Sequence, residues 1–339
     1  MREAGWFAVI AGAVIFEALT APSTGLSGRG WRLSRSEEPG KVRLTLERSR
    51  FGNRMVTTND VPLANFHGFS PDMMDHSGPA KFTYAQDAAT LECQGRYGWG
   101  RGSGSFTLAP NPQFIAELNR MGFATPNQDD LFLMVITPTN LDFIHEVRDA
   151  GIASSLGEVL ELAQHGVNSQ YIHDVARTGY GHLKADDYIA MRDHGVEARF
   201  IQELKDAGYQ IDSGQIIALK DHGVDSAYIR ELGANGLHPD AQDLVSMRDH
   251  GVDPDFLRSV HDAGFDSVRT DELIMLHDHG VPRDLVLEAH DLGYHFTPDE
   301  VVKLHEHGVD AKYLRTIRDS GMRQLSADQI VQLHDHGVE

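Results

Sequence analysis

From residue 111 onward, apolar residues recur at the three- and four-residue spacing of an amphipathic helix, in runs of about ten residues that each end at a glycine. Phe256 and Val260 belong to one such run. Before residue 111 the pattern changes to alternation of apolar and polar residues, as at Val42 and Leu44, which is typical of strands with one buried face. The pattern predicts an α+β fold in which a small antiparallel β domain precedes an array of short helices.

The helical part repeats itself. The triplet His-Gly-Val occurs seven times between His165 and His336 at intervals of 28 or 29 residues, and a second glycine series from Gly122 to Gly321 has the same interval. A fixed period in this range is the signature of stacked structural repeats. Because each period holds two glycine-terminated helices, the sequence predicts an α-solenoid of about eight two-helix repeats. We place them at 111–138, 139–167, 168–196, 197–224, 225–252, 253–281, 282–309 and 310–338.

The ends of the predicted helices carry recognisable capping residues. A glycine just past a helix closes it in the left-handed conformation, and an apolar residue usually follows. Asp225, Asp253 and Asp310 stand where N-caps are expected, and Thr297 to Glu300 has the pattern of a capping box. The predicted structural caps that follow histidine are Gly166, Gly195, Gly223, Gly251, Gly280, Gly308 and Gly337.

Residues 24–110 predict the β domain. Alternating apolar residues mark short strands, and the glycine-rich run Arg96 to Gly104 predicts a hairpin turn between two of them. The stretch Asn59 to Pro79 predicts a longer, less regular connection. Cys93 is the single cysteine, so no internal disulfide forms, and its position within a strand predicts a small buried apolar side chain.

The first residues have the outline of a secretory signal. Met1-Arg2 precedes the apolar run Ala4 to Phe16, and small residues follow up to Ser23. This run is shorter than the ~20 residues of a membrane span. Residues 1–23 therefore predict a signal peptide, with a retained signal anchor as the alternative. The expected location is exported, either periplasmic or extracellular, with membrane association only if the signal is retained.

Charge is distributed unevenly along the chain. Residues 24–110 contain 11 basic and 8 acidic residues, whereas residues 111–339 contain 18 basic and 40 acidic residues. Such an acidic array repels phosphate backbones, which argues against nucleic-acid binding despite the helix-turn-helix look of each repeat. Anionic membrane surfaces are disfavoured for the same reason. Most of the acidic residues are expected at helix starts, where they cap and solvate the array.

Histidine is abundant, with 17 of the 19 histidines beyond residue 111. Equivalent histidines in successive repeats should lie ~10 Å apart, which is too far for one metal ion. The structural interpretation is that a histidine in the last helical turn bonds the free carbonyl groups there. The competing hypothesis is binding of zinc or another transition metal at three His-x-His pairs. Those candidates are His277, His279, His305, His307, His334 and His336.

Motifs of common enzymes are incomplete. The segments His145 to Asp149 and His305 to Val309 begin like a zincin helix but lack a histidine four residues after the first. No Gly-x-Ser-x-Gly elbow and no phosphate-binding loop occurs in the sequence. The sequence thus predicts a protein that is not an enzyme and has no catalytic residue or cofactor.

Several segments resemble a known family. Trp31 to Leu33, Ala89 to Gly95, Gly102 to Phe106 and Asn111 to Phe114, followed by the repeats, are similar to the soluble C-terminal region attached to some BlaR-type membrane metallopeptidases. In that family the membrane part carries the zinc motif, and the extracytoplasmic part senses or contacts partners. The present sequence lacks the membrane helices and the zinc motif, so the resemblance implies a sensor-like or scaffolding domain and no catalytic residue.

Three hypotheses for function follow. The first is an exported binding module whose acidic, histidine-rich solenoid contacts a protein or peptide partner. The second is a structural protein that self-associates, as a filament does, through its last repeat, because that repeat ends in an ordinary Gly-Val without a polar cap. The third is transition-metal binding by the histidine pairs.

Overall fold

In a computed structural model, the described residues are 15–16, 29–50, 53–137, 139–180, 183–234, 236–265 and 268–338. They form a curled antiparallel sheet followed by helices in repeated pairs, so the predicted α+β fold is confirmed. The chain divides into two compact units, Met1–Arg192 and Asp193–Glu339. The predicted signal at 1–23 lies outside the described residues apart from Ile15–Phe16.

The sheet belongs to the first unit. Its order is β1-β4-β3-β2-β8-β7-β6-β5, with antiparallel pairing throughout, and β1 is only a two-residue segment paired with β4. Short connections between neighbouring strands account for most of this order. The strands are β1 (Ile15–Phe16), β2 (Arg29–Arg35), β3 (Lys41–Arg50), β4 (Asn53–Pro62), β5 (Phe66–His67), β6 (Gly78–Ala85), β7 (Ala89–Gly98) and β8 (Arg101–Pro110).

Trp31 lies at the centre of the core that the curled sheet encloses. Its ring packs edge-on against Phe82 with ring centroids 4.8 Å apart, and its indole N–H donates to the carbonyl oxygens of Gln94 and Ser105 at 3.2 and 3.0 Å. The neighbouring pair Gly95 and Gly104 has no room for side chains, because an added Cβ would lie 2.0–2.1 Å from a carbonyl oxygen of the opposite strand. These glycines therefore permit the close approach of β7 and β8.

Two sequence predictions about this sheet need correction. The segment Asn59 to Pro79 begins inside β4, so its first residues are strand and not connection. The glycine-rich run Arg96 to Gly104 does contain a hairpin, but its turn is only Trp99–Gly100, and the flanking residues belong to β7 and β8. Polar residues and glycines interrupt the apolar alternation of these strands, which hid the strands from an apolar pattern.

Sixteen α-helices of nine residues each occur in the described part of the chain, two for each predicted repeat. None of them is long and apolar enough to cross a membrane. A nine-residue helix is marginal in isolation, so neighbouring helices must stabilise it. The helices are α1 (Pro112–Arg120), α2 (Gln128–Ile136), α3 (Leu141–Asp149), α4 (Leu156–Gln164), α5 (Ser169–Arg177), α6 (Ala185–Asp193), α7 (Ala198–Asp206), α8 (Ser213–Asp221), α9 (Ser226–Ala234), α10 (Ala241–Asp249), α11 (Pro254–Asp262), α12 (Thr270–Asp278), α13 (Arg283–Asp291), α14 (Pro298–Glu306), α15 (Ala311–Asp319) and α16 (Ala327–Asp335).

Helix ends follow the predicted capping chemistry. At the end of α12, the N–H of Gly280 donates to His277 and the N–H of Val281 donates to Leu276, which is the Schellman arrangement. The seven glycines that follow histidine all have φ between 64° and 79°. At the helix starts, the predicted N-caps Asp225, Asp253 and Asp310 each accept a bond from a backbone N–H three residues on.

In the second unit, each helix packs on its counterpart in the next repeat. The odd-numbered helices α7 to α15 contact one another in order, and the even-numbered helices α8 to α16 do the same. This arrangement gives two layers, and the buried valines after the histidine-glycine pairs, such as Val252 and Val309, lie in the core. Equivalent positions of successive repeats therefore stand side by side.

In the first unit, α2 packs on the sheet. The ring of Phe132 stacks on that of Phe106 at 5.9 Å, and Arg48 of β3 pairs with Asp129 and lies over Phe132. The last strand, β8, ends at Pro110, and the first helix, α1, begins at Pro112. The boundary between the two compact units lies further on, between Arg192 and Asp193, because the first helices pack with the sheet.

Candidate functional site

The helix ends of the second unit form two edges with different charge. We define the histidine edge as segments 193–203, 219–230, 247–258, 276–287 and 304–315, where even helices end and odd helices begin. We define the acidic edge as segments 205–216, 233–244, 261–273, 290–301 and 318–329, where odd helices end and even helices begin. The histidine edge holds 12 acidic residues and 8 Lys or Arg, whereas the acidic edge holds 13 acidic residues and only 4 Lys or Arg.

Histidines of the histidine edge bond carboxylates of the following repeat. His222 Nδ1 lies 2.7 Å from Asp249, and His250 Nδ1 lies 2.8 Å from Asp278. A carboxylate only accepts, so each Nδ1 carries the proton and donates. The side chains thus bond carboxylates and not the helix carbonyls expected from the sequence. Among the described residues of the second unit, the ladder includes the pairs His194–Asp221, His222–Asp249, His250–Asp278, His279–Glu306 and His307–Asp335.

The position two residues before each ladder histidine has a separate role. Lys220 and Arg248 place their charged groups over the rings of Phe200 and Tyr228 at 5.6 and 5.1 Å. His277 and His334 pack edge-on against Phe256 and Tyr313 at centroid distances of 5.4 and 4.8 Å. In these four repeats, the side chain at this position therefore packs on an aromatic ring of its own repeat.

The two histidines of each His-x-His pair accordingly have different surroundings. His279 bonds Glu306 of the next repeat, while His277 packs on Phe256. His305 is half-buried at the same position as His277. In the described part of the chain, no group of three or more histidine, cysteine, aspartate or glutamate side chains is placed to hold a metal ion. Transition-metal binding at the six candidate histidines stays a prediction, and this arrangement does not favour it.

On the acidic edge, several carboxylates lie at the ends of odd helices. Asp262, Asp291 and Asp319 are the last residues of α11, α13 and α15 and are exposed. A carboxylate at a helix C-terminus faces the negative end of the helix dipole and costs ~0.3–1 kcal/mol. The sequence interpretation, which assigned the acidic residues to helix starts, missed these positions. In α7, α11, α13 and α15 the sequence signal is an Asp two residues before the closing glycine, whereas α9 has Ala234 at that position.

Helix starts add further carboxylates to the same edge. Asp212 and Asp240 cap α8 and α10, and Asp271, Asp299 and Asp328 lie in the first turns of later even helices. Local cations neutralise part of this charge, since Arg269 pairs with Asp271 and Lys303 pairs with Asp328. The Arg269 pair also holds the pKa of Asp271 below its usual range. The remaining carboxylates leave the edge strongly negative.

A groove of about 520 Å³ opens on the acidic edge between two successive inter-helix loops. Residues 207–211 form one wall and residues 238–242 the other, and the hydroxyl of Tyr209 donates to the carbonyl of Pro239 at 2.9 Å across the bottom. Tyr209, Ile211 and Pro239 supply apolar surface, while Asp240 stands at the rim. The groove is thus a half-apolar depression with one carboxylate, that of Asp240, in its lining.

The incomplete enzyme motifs occupy structural positions. His145 Nε2 lies 3.2 Å from a carboxylate oxygen of Glu117 in the preceding repeat, a contact within the first unit. Cys93 is buried, and burial raises the pKa of its thiol to about 12. A thiol with that pKa is almost entirely protonated at neutral pH and is a poor nucleophile. No protein family and no curated protein matches this chain.

Proposed function

We propose that the chain is a non-enzymatic interaction scaffold whose acidic edge binds a basic, extended segment of a partner protein. The observation that carries the proposal is the contrast between the two edges of the second unit. Both consist of similar helix ends, yet only the acidic edge lacks a matching set of cations. Acidic residues end helices on both edges, but Asp221, Asp249 and Asp278 of the histidine edge are bonded by histidines of the preceding repeat.

The repeat spacing suits an extended partner. Contacting helices pack ~8–10 Å apart, so equivalent carboxylates of successive repeats are separated by about that distance. A segment in the extended polyproline II conformation advances ~3.1 Å for each residue and has three residues per turn, so every third side chain points the same way and three residues span ~9 Å. A segment with a lysine or arginine at every third position therefore places one cation opposite each repeat.

Charge alone gives a weak complex that depends on salt. An exposed ion pair contributes ~0.2–1 kcal/mol, so four or five of them give roughly 1–5 kcal/mol. Such energies correspond to a dissociation constant of about a millimolar or weaker, unless the groove adds apolar contacts. Because the screening length falls from ~10 Å at 0.1 M salt to ~3 Å at 1 M, we expect binding to weaken steeply with salt.

The test uses the full chain and two peptides of equal composition. One has lysine at every third residue, as in five Lys-Gly-Ser triplets, and the other has its lysines in one block. Titration followed by fluorescence anisotropy should show tighter binding of the spaced peptide. The triple change Asp262→Asn, Asp291→Asn and Asp319→Asn should weaken that binding by about 3- to 150-fold, which corresponds to the loss of three exposed pairs of ~0.2–1 kcal/mol each.

A matched control lies on the histidine edge. The triple change Asp221→Asn, Asp249→Asn and Asp278→Asn removes the same charge from the neighbouring ladder and should leave peptide affinity within about twofold. Equal losses in both triple variants would mean that only net charge matters. Unchanged binding in the acidic-edge variant would refute the proposal.

We also propose that the chain works outside the cytoplasm, as a sensor-like or scaffolding domain. The support is the apolar run Ala4 to Phe16 and the resemblance to the extracytoplasmic region of BlaR-type proteins. Fractionation of cells that express the full chain tests this part. Recovery of the protein only from the cytoplasm would refute it.

A further inference from the structure

Trp99 has an unusual place at the tip of the β7–β8 hairpin. Its side chain is 95% exposed, whereas Trp31 in the sheet core is 1% exposed. The backbone of Trp99 has φ 57°, and Gly100 beside it has φ 73°. Two successive positive φ values are typical of a type I′ turn, which favours Asn-Gly and is strained for a bulky residue. The fold therefore neither buries this ring nor favours it at this position.

Two arginines flank the exposed ring. Arg96 and Arg101 are exposed, and neither has an ion-pair or hydrogen-bond partner among the described residues. The nearby acidic residues are Asp72 and Asp75, and Asp75 is already paired with Arg35. Tryptophan and arginine are the residues most enriched among the energetic centres of protein interfaces. The tip thus has the composition of a protein contact that requires an acidic, partly apolar acceptor.

The tip is also held in position. The N–H of Gly100 donates to the carbonyl of Met74 at 3.0 Å, so the short helical segment Pro71–Asp75 supports the turn. Met73 of that segment is another exposed large apolar side chain, at 43%. A supported tip loses little conformational entropy on binding, which favours its use as a docking element.

We propose that Trp99 inserts into the groove of the acidic edge in a second copy of this chain. The groove offers Tyr209, Ile211 and Pro239 to the indole ring, and its volume of about 520 Å³ accepts one such side chain. Asp206, Asp212 and Asp240 lie in or beside its walls and complement Arg96 and Arg101. The inference rests on the proposed function, because it assigns a partner to the same acidic edge.

The contact is heterologous, since the tip of one copy meets the groove of another. Each copy keeps a free tip or a free groove after the first contact, so assembly continues unless the geometry closes a ring. We therefore expect species whose mass grows with protein concentration. High salt should reverse the growth, because part of the attraction is between exposed charges.

The test is light scattering after size-exclusion chromatography of the full chain, from about 1 to 200 µM at low and high salt. The wild-type mass should rise with concentration at low salt. Trp99→Asn should weaken association by at least ~30-fold, or ~2 kcal/mol. Asn is favoured at this turn position, so the variant should unfold at the same or a higher temperature. Loss of association then cannot come from loss of folding.

Mixing of variants gives a sharper test. Asp206→Asn with Asp240→Asn damages the groove and leaves the tip intact, while Asn keeps the N-cap of α10. By itself, neither this double variant nor Trp99→Asn should increase in mass with concentration. An equimolar mixture of the two should form dimers and nothing larger, because only one intact tip and one intact groove can meet. A mixture that stays monomeric at 200 µM, or a Trp99→Asn variant that associates like the wild type, would overturn the proposal.

Two further measurements separate the alternatives. If the wild type stays monomeric but still binds the spaced lysine peptide, self-association is wrong and the proposed function survives. If the wild type stays monomeric and the spaced lysine peptide does not bind, both the second-copy proposal and the proposed function of the acidic edge are wrong. A Trp99-dependent fluorescence blue shift on vesicles rich in phosphatidylglycerol, without growth in mass, would assign the tip to a membrane surface and overturn the second-copy proposal.

Discussion

Gly280→Ala is the cleanest test of how the repeats are closed. Gly280 has φ 64° at the end of α12, and an added Cβ would meet no heavy atom within 4 Å. The substitution therefore introduces no clash, and its cost is the left-handed strain of an L-residue, ~1–2 kcal/mol. We expect the free energy of unfolding to fall by that amount.

A matched control is available within the helices. Gly157 is the second residue of α4, where the φ of the backbone is not positive, and its added Cβ would have only the Ser155 hydroxyl oxygen nearby, at 3.8 Å. Gly157→Ala should cause no loss and should give a gain of up to ~1 kcal/mol, because alanine lowers the entropy of the unfolded chain. Both variants make the same chemical change, so only the backbone conformation distinguishes them.

Urea unfolding followed by far-ultraviolet circular dichroism measures both effects. With a slope of ~3 kcal/mol per molar urea, a loss of ~1.5 kcal/mol lowers the midpoint by ~0.5 M. Gly280→Asn should recover part of the loss, since Asn tolerates the left-handed region. If Gly280→Ala unfolds like the wild type, or if Gly157→Ala loses as much, the capping argument is wrong.

Three other predictions follow from side-chain contacts. A double-mutant cycle of His250→Gln and Asp278→Asn should give a coupling of ~0.2–1 kcal/mol in urea unfolding that shrinks in high salt, and zero coupling at low salt would contradict the ladder. The hydrogen bond from Ser226 lowers the pKa of Glu203, so its stabilising contribution is complete above the unfolded pKa of ~4.3 and is lost as pH falls through the folded value. Glu203→Gln should therefore flatten the decline of the urea midpoint below pH ~4.5, and an unchanged pH profile would contradict this. Cys93, whose thiol pKa is raised to about 12 by burial, should resist a thiol reagent at pH ~8 until urea unfolds the chain, and rapid reaction of the folded protein would show that it is not buried.

Periodicity made the architecture of the repeats predictable. A glycine that closes a helix and an aspartate that starts one act within a few residues, so Gly280 and Asp253 could be assigned from their neighbours alone. The strand β4 was missed because Thr57, Thr58, Asn59 and Asp60 interrupt the apolar alternation. Its pairing with β3 depends on the whole sheet, which a local pattern does not contain.

The chemistry between repeats was less accessible from the sequence. His250 and Asp278 are 28 residues apart, and their contact depends on how one repeat is set against the next. The sequence shows an Asp or Glu before each such histidine, but not that the histidine bonds the equivalent carboxylate of the following repeat. The place of Trp99 at the tip was hidden for a different reason, since the glycine-rich run Arg96 to Gly104 predicted a hairpin but not which of its residues form the turn.

The two edges of the second unit differ in how the carboxylates at their repeated helix ends are neutralised. On the histidine edge, each helix ending supplies both a carboxylate and a histidine. Asp249 is bonded by His222 of the preceding repeat, and the neighbouring His250 bonds Asp278 of the following repeat. On the acidic edge, Asp262, Asp291 and Asp319 lie 3.8, 3.7 and 3.1 Å from the basic residue that precedes each of them in the chain. The edge as a whole still holds 13 acidic residues against 4 Lys or Arg, so repulsion among its carboxylates is only partly offset. Self-repulsion of this kind opposes stacking, while solubility alone would be served equally well by charge on both edges. A cationic ligand removes the repulsion and gains from every repeat at once, which is the physical reason to assign recognition to the acidic edge.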